Sequence, residues 1–206
     1  MRSSSVRTAA RVLAVLLPWL LAACVPAVRM KADAGLLDAQ RTREQTLTRA
    51  DHWTLQGRLG VSDGHTGGSG SFSWTQNGDH YDFVLRGPAI SGVDFRLSGG
   101  PQGAVLDGLR DGSLRGPDAE ALMRKALGWE VPLHDLRAWV LGLRAQGTPA
   151  QLSFGANRLP ALLQQDGWSV DYRSWDESRQ PPLPTKVYAA KPPYHVRLSI
   201  DSWQFQ

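Results

Sequence analysis

From Trp53 onward the chain alternates apolar and polar residues, and no other feature narrows its possible folds as much. In W-T-L-Q-G-R-L-G-V, positions 53, 55, 59 and 61 are apolar while 54, 56 and 58 are polar. This is the period of a strand with one face in a core and the other in water. G-S-F-S-W-T-Q (70–76) repeats it, with Phe72 and Trp74 on one side and serines on the other. N-G-D (77–79) reads as a hairpin turn, followed by Y-D-F-V-L (81–85) and V-D-F-R-L (93–97). A short strand is expected over 104–109, and strands resume at 151–154, 158–165, 168–175, 184–190 and 196–201.

The alternation breaks twice for helical patterns. In G-P-D-A-E-A-L-M-R-K-A-L-G (116–128), Pro117 suits a first helical position, Asp118 and Glu120 the positive end, and Gly128 the stop. In P-L-H-D-L-R-A-W-V-L-G (132–142), Leu133, Leu136, Trp139 and Val140, with Leu143 just beyond, mark a buried side. A weaker helical pattern covers 36–50. The expected fold class is mainly β (α+β): a single curved antiparallel sheet, with helices covering an open side or mouth.

The N-terminus limits where such a domain resides. Arg2, Arg7 and Arg11 precede the apolar run 12–21, which is too short for a stable span and is interrupted by Pro18, so it reads as an export signal. It ends in L-A-A-C, which resembles the bacterial lipoprotein box, whose cysteine is acylated; Cys24 is the chain's only cysteine. The expected organisation is a signal at 1–23, an acylated tether at 24–35 and a folded body at 36–206. Loss of the three signal arginines lowers the formal charge from +4 to +1, which removes the nucleic-acid reading that a pI near 9.6 suggests. With Cys24 acylated, no thiol is left for a disulfide, a metal or a nucleophile.

Catalytic patterns are missing. The five histidines fit no metal spacing, G-H-T-G-G-S-G-S (64–71) is followed by no Lys-Ser/Thr pair, and Ser71 stands where a nucleophile elbow needs glycine. That stretch reads as a flexible hairpin turn, and the chain reads as a non-enzyme without cofactor or metal. Eight tryptophans, several in alternating strands, fit an aromatic-rich core or an apolar interior that holds an acyl ligand. One further oddity is Ile90, an apolar branched residue at the tip of the turn-rich stretch L-R-G-P-A-I-S-G (85–92).

Four segments carry a family resemblance: G-S-F-S-W-T-Q-N-G-D-H-Y-D-F-V-L-R-G-P, V-P-L-H-D-L-R-A-W-V-L-G-L, D-G-W-S-V-D-Y-R-S-W, and L-P-T-K-V-Y with the later V-R-L-S-I-D-S-W. In order and spacing, and with L-A-A-C ahead of them, the chain resembles the LolB family of outer-membrane lipoprotein receptors over roughly residues 45–206. The box itself resembles that of bacterial lipoproteins, in which the cysteine is the lipid-attachment residue, here Cys24. Val25 follows it where inner-membrane retention favours Asp, so the expected location is the outer membrane, facing the periplasm. The resemblance implies an unclosed β-barrel with helices as a lid over a hydrophobic cavity. It implies a receptor that accepts mature acylated lipoprotein cargo from a LolA-like periplasmic carrier and inserts the acyl chains into outer-membrane lipid, without ATP and as a monomer. It also implies an apolar residue projecting from a strand-connecting loop; the matching loop contains Pro88, Ala89 and Ile90, and only Ile90 has a side chain large enough to enter lipid.

Inward strand and helix positions supply the expected cavity lining: Leu55, Leu59, Phe72, Trp74, Phe83, Leu85, Phe95, Leu97, Trp139 and Leu143. Two other readings share the tether, the strands and the tryptophans. One is an anchored scaffold or assembly lipoprotein with a filled core; the other is a lipid-tethered hydrolase, disfavoured by the missing nucleophile.

Overall fold

A computed structural model describes residues 29–88 and 94–206. Cys24 and the expected signal, together with Ala89 and Ile90, lie outside the described residues.

Twelve strands form one antiparallel sheet. In chain order they are β1 (Met30–Lys31), β2 (His52–Ser62), β3 (Gly67–Asn77), β4 (His80–Arg86), β5 (Asp94–Gly100), β6 (Gly103–Asp107), β7 (Leu114–Gly116), β8 (Ala150–Phe154), β9 (Pro160–Gln165), β10 (Trp168–Asp176), β11 (Leu183–Lys191) and β12 (Tyr194–Phe205). Their order across the sheet is β1-β8-β9-β10-β11-β12-β2-β3-β4-β5-β6-β7, so β1 and β7 are edges and the barrel stays open. The two halves of the chain join where β12 runs beside β2 from His195↔Ser62 to Phe205↔Trp53. Register shifts near Asp201 in β12 and Arg173 in β10 add local twist, the means by which a long sheet curls.

The predicted alternation accounts for the packing. Trp53, Leu55, Leu59 and Val61 of β2 are buried, as are Phe72 and Trp74 of β3 and Phe83 and Leu85 of β4. They belong to a single apolar cluster that also takes in Leu136, Trp139 and Val140. Aromatic rings run across it: Trp74 is 5.3 Å from Trp53 and 6.0 Å from Phe83, and Phe83 is 5.6 Å from Phe72. Such pairs add about 0.5–1.5 kcal/mol each beyond simple burial.

Three helices complete the body: α1 (Ala34–Thr48), α2 (Ala119–Leu127) and α3 (Leu133–Val140). Met30–Lys31 and the first residues of α1 fall inside the span expected as tether. In α1, Asp33 Oδ1 accepts from the Leu36 N–H at 2.8 Å, and Leu36, Gln40, Arg43 and Leu47 form the buried stripe. Pro117 is not the first residue of α2. Asp118 takes the N-cap instead, because its carboxylate accepts from the Ala121 N–H at 2.7 Å and satisfies a free helix donor. Gly128 closes α2 in the left-handed conformation. The stretch 64–71 divides: the turn is confined to the residues around Asp63–Thr66, and Gly67 onward is strand. Among the described residues no helix is long and apolar enough to cross a membrane.

Buried polar side chains lock the helices to the sheet. Arg43 donates to the carbonyls of Gly142 (2.8 Å), Leu141 (2.5 Å) and Pro182 (2.7 and 3.2 Å) and lies 4.8 Å from the Trp175 ring. Burial lowers its pKa to about 10, still well above neutral pH, so it is a cation among carbonyls. Gly142 makes this approach possible: at φ +72° it holds a left-handed turn, and a Cβ there would sit 2.4 Å from the Trp175 ring.

Candidate functional site

A groove lies where α2 and α3 lean over the β3–β4 end of the sheet. It has a volume of about 610 Å³, inside the roughly 300–1,000 Å³ usual for ligand sites. Trp74 of β3 and Tyr81 and Phe83 of β4 form its apolar floor, Pro117, Ala119 and Ala121 one wall, and Leu133 the other. Its rim is polar, with Asp79, Asp118, Glu120, Arg124, His134 and Arg137 among its lining. Burial, then the charges of Asp118 and Glu120, push the Tyr81 phenol up, so its hydroxyl stays protonated.

The two covering helices are tied together at this rim. The N-cap of α3 is Pro132, whose side chain caps nothing. Glu120 of α2 takes that role by accepting from the His134 N–H at 3.2 Å, placing a carboxylate at the positive end of a neighbouring helix. Arg137 of α3 pairs with Asp79 in the β3–β4 turn at 3.7 Å. Both residues also line a second groove of about 310 Å³, beneath α1 and the end of α3. This pair therefore marks the partition between the two spaces. Trp139 of α3 is held from inside, its Nε1 donating to Gln165 Oε1 at 3.1 Å, while Gln165 returns donors to Ala145 and Thr148.

All ten residues expected to line a cavity are buried, and they separate by location. Trp74 and Phe83 line the 610 Å³ groove, Leu143 the 310 Å³ groove, and Leu59 a shallow basin beside the Arg86 end of β4. Leu55, Phe72, Leu85, Phe95, Leu97 and Trp139 pack into the core. Period-two patterning identifies the inward face without telling a filled interior from a hollow one. Tyr81 escaped notice although it shares the face of Phe83 and Leu85. The buried Gln76 was not signalled either; it accepts from Trp74 Nε1 at 3.2 Å and donates to Gly78 O and His80 O.

The loop that holds Ile90 leaves β4 at Arg86 and returns at Asp94, the end of β4 away from the groove. Its base is defined. A Cβ on Gly70 would lie 2.2 Å from Arg86 O and 2.8 Å from Gly87 N, so only glycine lets the departing chain pass this close over β3. Pro88 walls the shallow basin there, while Ala89 and Ile90 fall outside the described residues.

A family model described as Outer membrane lipoprotein LolB matches residues 51–203. The Outer-membrane lipoprotein LolB of Xanthomonas axonopodis pv. citri (strain 306) is 34% identical over 197 residues, covering 89% of this chain and 90% of that protein. That of Pseudomonas fluorescens (strain Pf0-1) is 36% identical over 161 residues, 78% of each. Among solved structures, a DUF1329 family protein from Desulfovibrio piger aligns with TM-score 0.47 at 6% identity, covering 82% of this chain and 92% of that one.

Proposed function

This chain belongs to the LolB family of outer-membrane lipoproteins, and we propose that it is the outer-membrane receptor which accepts lipoproteins arriving through the periplasm and places their acyl chains in the bilayer. The observation that carries the reading is the groove floored by Trp74, Tyr81 and Phe83 and roofed by α2 and α3. It is an apolar space of ligand size bounded by two short helices joined at the rim by the hydrogen bond that the His134 N–H donates to Glu120. An acyl chain entering there meets aromatic faces and methyl groups, and the rim charges stay in water.

Energetics explains why such a receptor needs no fuel. A triacylated cargo carries three chains of about 15 methylenes, and at ~0.8 kcal/mol each their burial in lipid is worth tens of kcal/mol. Non-covalent protein affinity saturates near roughly −18 to −21 kcal/mol. The groove therefore holds cargo less strongly than a bilayer does, and delivery runs downhill. The donor is a soluble periplasmic carrier resembling LolA, and the receptor works as a monomer anchored through acylated Cys24 after loss of residues 1–23. Ile90, at the tip of the loop based on Gly70, touches lipid; one branched side chain adds only ~2–3 kcal/mol, enough for a local wedge and too little for an anchor.

A transfer assay tests the reading. A mature Cys24→Ala form is mixed with carrier loaded with acylated lipoprotein, and the cargo is followed by co-purification. Cargo is expected to move onto this chain and then into liposomes, and Ile90→Glu to slow only the second step. Cargo that stays on a competent carrier would refute the receptor role; full-rate insertion by Ile90→Glu would refute the wedge.

A further inference from the structure

The outer face of the sheet carries a row of cations that neither the groove nor the core uses. Strand pairing sets Lys186, Ser199, Arg58, Ser71 and Arg86 side by side on five adjacent strands. All point outward; Ser199 is half-buried and the others are exposed. One register step along, Arg197 lies opposite Tyr188 and stacks over its ring at 5.7 Å. The acids on this face have cations of their own: Arg96 binds Asp82 and stands opposite Asp107 in register. Asp171 is occupied by Arg29 and Arg173 at 2.9 and 2.8 Å. Asp94 stands opposite Arg86 in register. Among the described residues no ion pair closes on Arg58, Arg86, Lys186 or Arg197.

Arg58 and Arg86 are two strands apart, about 10 Å between backbones, with only the small side chain of Ser71 between them. Together they border a shallow basin of about 400 Å³ whose other walls include Ser69, Gly70 and Pro88. Two long guanidinium side chains flanking serine hydroxyls suit a phosphate, which accepts forked donors from arginine and single bonds from hydroxyls. Gly87 and Pro88 lead from this basin directly into the loop of Ile90.

We propose that the basin between Arg58 and Arg86 binds the phosphate of a phospholipid headgroup, so that this outer face, flanked by Lys186 and Arg197, lies against the periplasmic leaflet of the outer membrane. The proposal rests on the membrane-receptor reading and adds to it an orientation: the loop side faces lipid while the groove, at the other end of β3 and β4, stays open to the periplasm. Like-charged cations that form no ion pair among the described residues are satisfied by anionic headgroups, each charge strengthening attachment about fivefold.

The test uses the mature Cys24→Ala form, since residues 29–206 build a sheet and core of their own. Cosedimentation is measured with vesicles of phosphatidylethanolamine and phosphatidylglycerol, and with vesicles of neutral phosphatidylcholine. Anionic vesicles are expected to bind more tightly, and the preference to fall about 25-fold in an Arg58→Gln/Arg86→Gln variant. Recovery of the preference in Arg58→Lys/Arg86→Lys separates charge from folding. An equal preference in the glutamine variant overturns the proposal. So does a variant that keeps vesicle selectivity but no longer takes cargo from the carrier, which makes the face a protein-docking surface. Ile90→Ser, which removes apolar contact without adding charge, lowers attachment to both vesicle types alike, so a failed wedge and a failed headgroup site read differently.

Discussion

Arg43→Met isolates the contact that fixes the end of α3, and its effect follows from four donors reaching three carbonyls. Gly142 O keeps Gln40 Nε2 at 3.0 Å when the guanidinium is gone, so Leu141 O and Pro182 O are the groups that lose a donor. Two under-satisfied buried carbonyls amount to about 2–6 kcal/mol, and the lost stack on Trp175 to about 1–2 kcal/mol. Opposing this, methionine fills the space without a buried charge. Burial of the guanidinium lowers its pKa from 12.5 to about 10, a penalty on the order of 3 kcal/mol that the variant relieves. The balance is a net loss of about 2 kcal/mol, or a fall in Tm of about 4–8 °C for a body of this size. Urea denaturation followed by tryptophan fluorescence and circular dichroism measures it, and amide exchange at residues 141–143 should accelerate. Arg43→Lys keeps a buried charge without the fork and is expected to fall at least as far. A Tm for Arg43→Met equal to or above the parent's would refute the reasoning.

Ala121→Trp projects a large ring into the 610 Å³ groove and is expected to weaken binding of a fluorescent fatty acid about tenfold with Tm unchanged; unaltered binding means the acyl chain goes elsewhere. For Glu44, burial pushes the carboxyl up, but hydrogen bonds from Arg144 and Gln40 outweigh it and hold the pKa below the usual value. A depressed carboxylate gives stability that is present above the unfolded pKa and lost as pH falls through the folded one. Glu44→Gln should therefore be less stable by about 1–3 kcal/mol near neutrality, and the gap should shrink between about pH 6 and pH 3; a gap constant with pH rules out the ion pair with Arg144 as its source. Tyr172 has a buried hydroxyl with no hydrogen-bond partner among the described residues, so Tyr172→Phe should leave Tm unchanged or raise it, by up to about 1 kcal/mol of stability.

How far the sequence carried the fold depended on whether an element was long enough to display a period. Trp53–Val61 and Phe72–Trp74 did, and their inward faces are the ones buried. β1, with two residues, and β7, with three, have no period to read, yet they are the edges at which the barrel stops. The helix end at Gly128 was legible because glycine suits left-handed backbone there, whereas α3 stops at Val140, short of the end of the 132–142 pattern. Arg43 and Gln165 were not, because a polar residue in a helical or strand pattern looks solvent-facing until its tertiary partners are in place. The groove falls between these cases: Trp74 and Phe83 were marked as inward, but the space above them exists only because α2 and α3 cross that end of the sheet, which no local pattern encodes.

The edge strand β1 has a consequence for how weak the membrane contacts can afford to be. Met30 is six residues beyond Cys24, and six residues reach at most ~20 Å even when fully extended. In the proposed anchoring through Cys24, the body is leashed within about its own radius of the bilayer. Its contacts with lipid then become intramolecular events at an effective concentration in the millimolar range. At that local concentration, interactions too feeble to recruit a free protein suffice to bias how the leashed one turns.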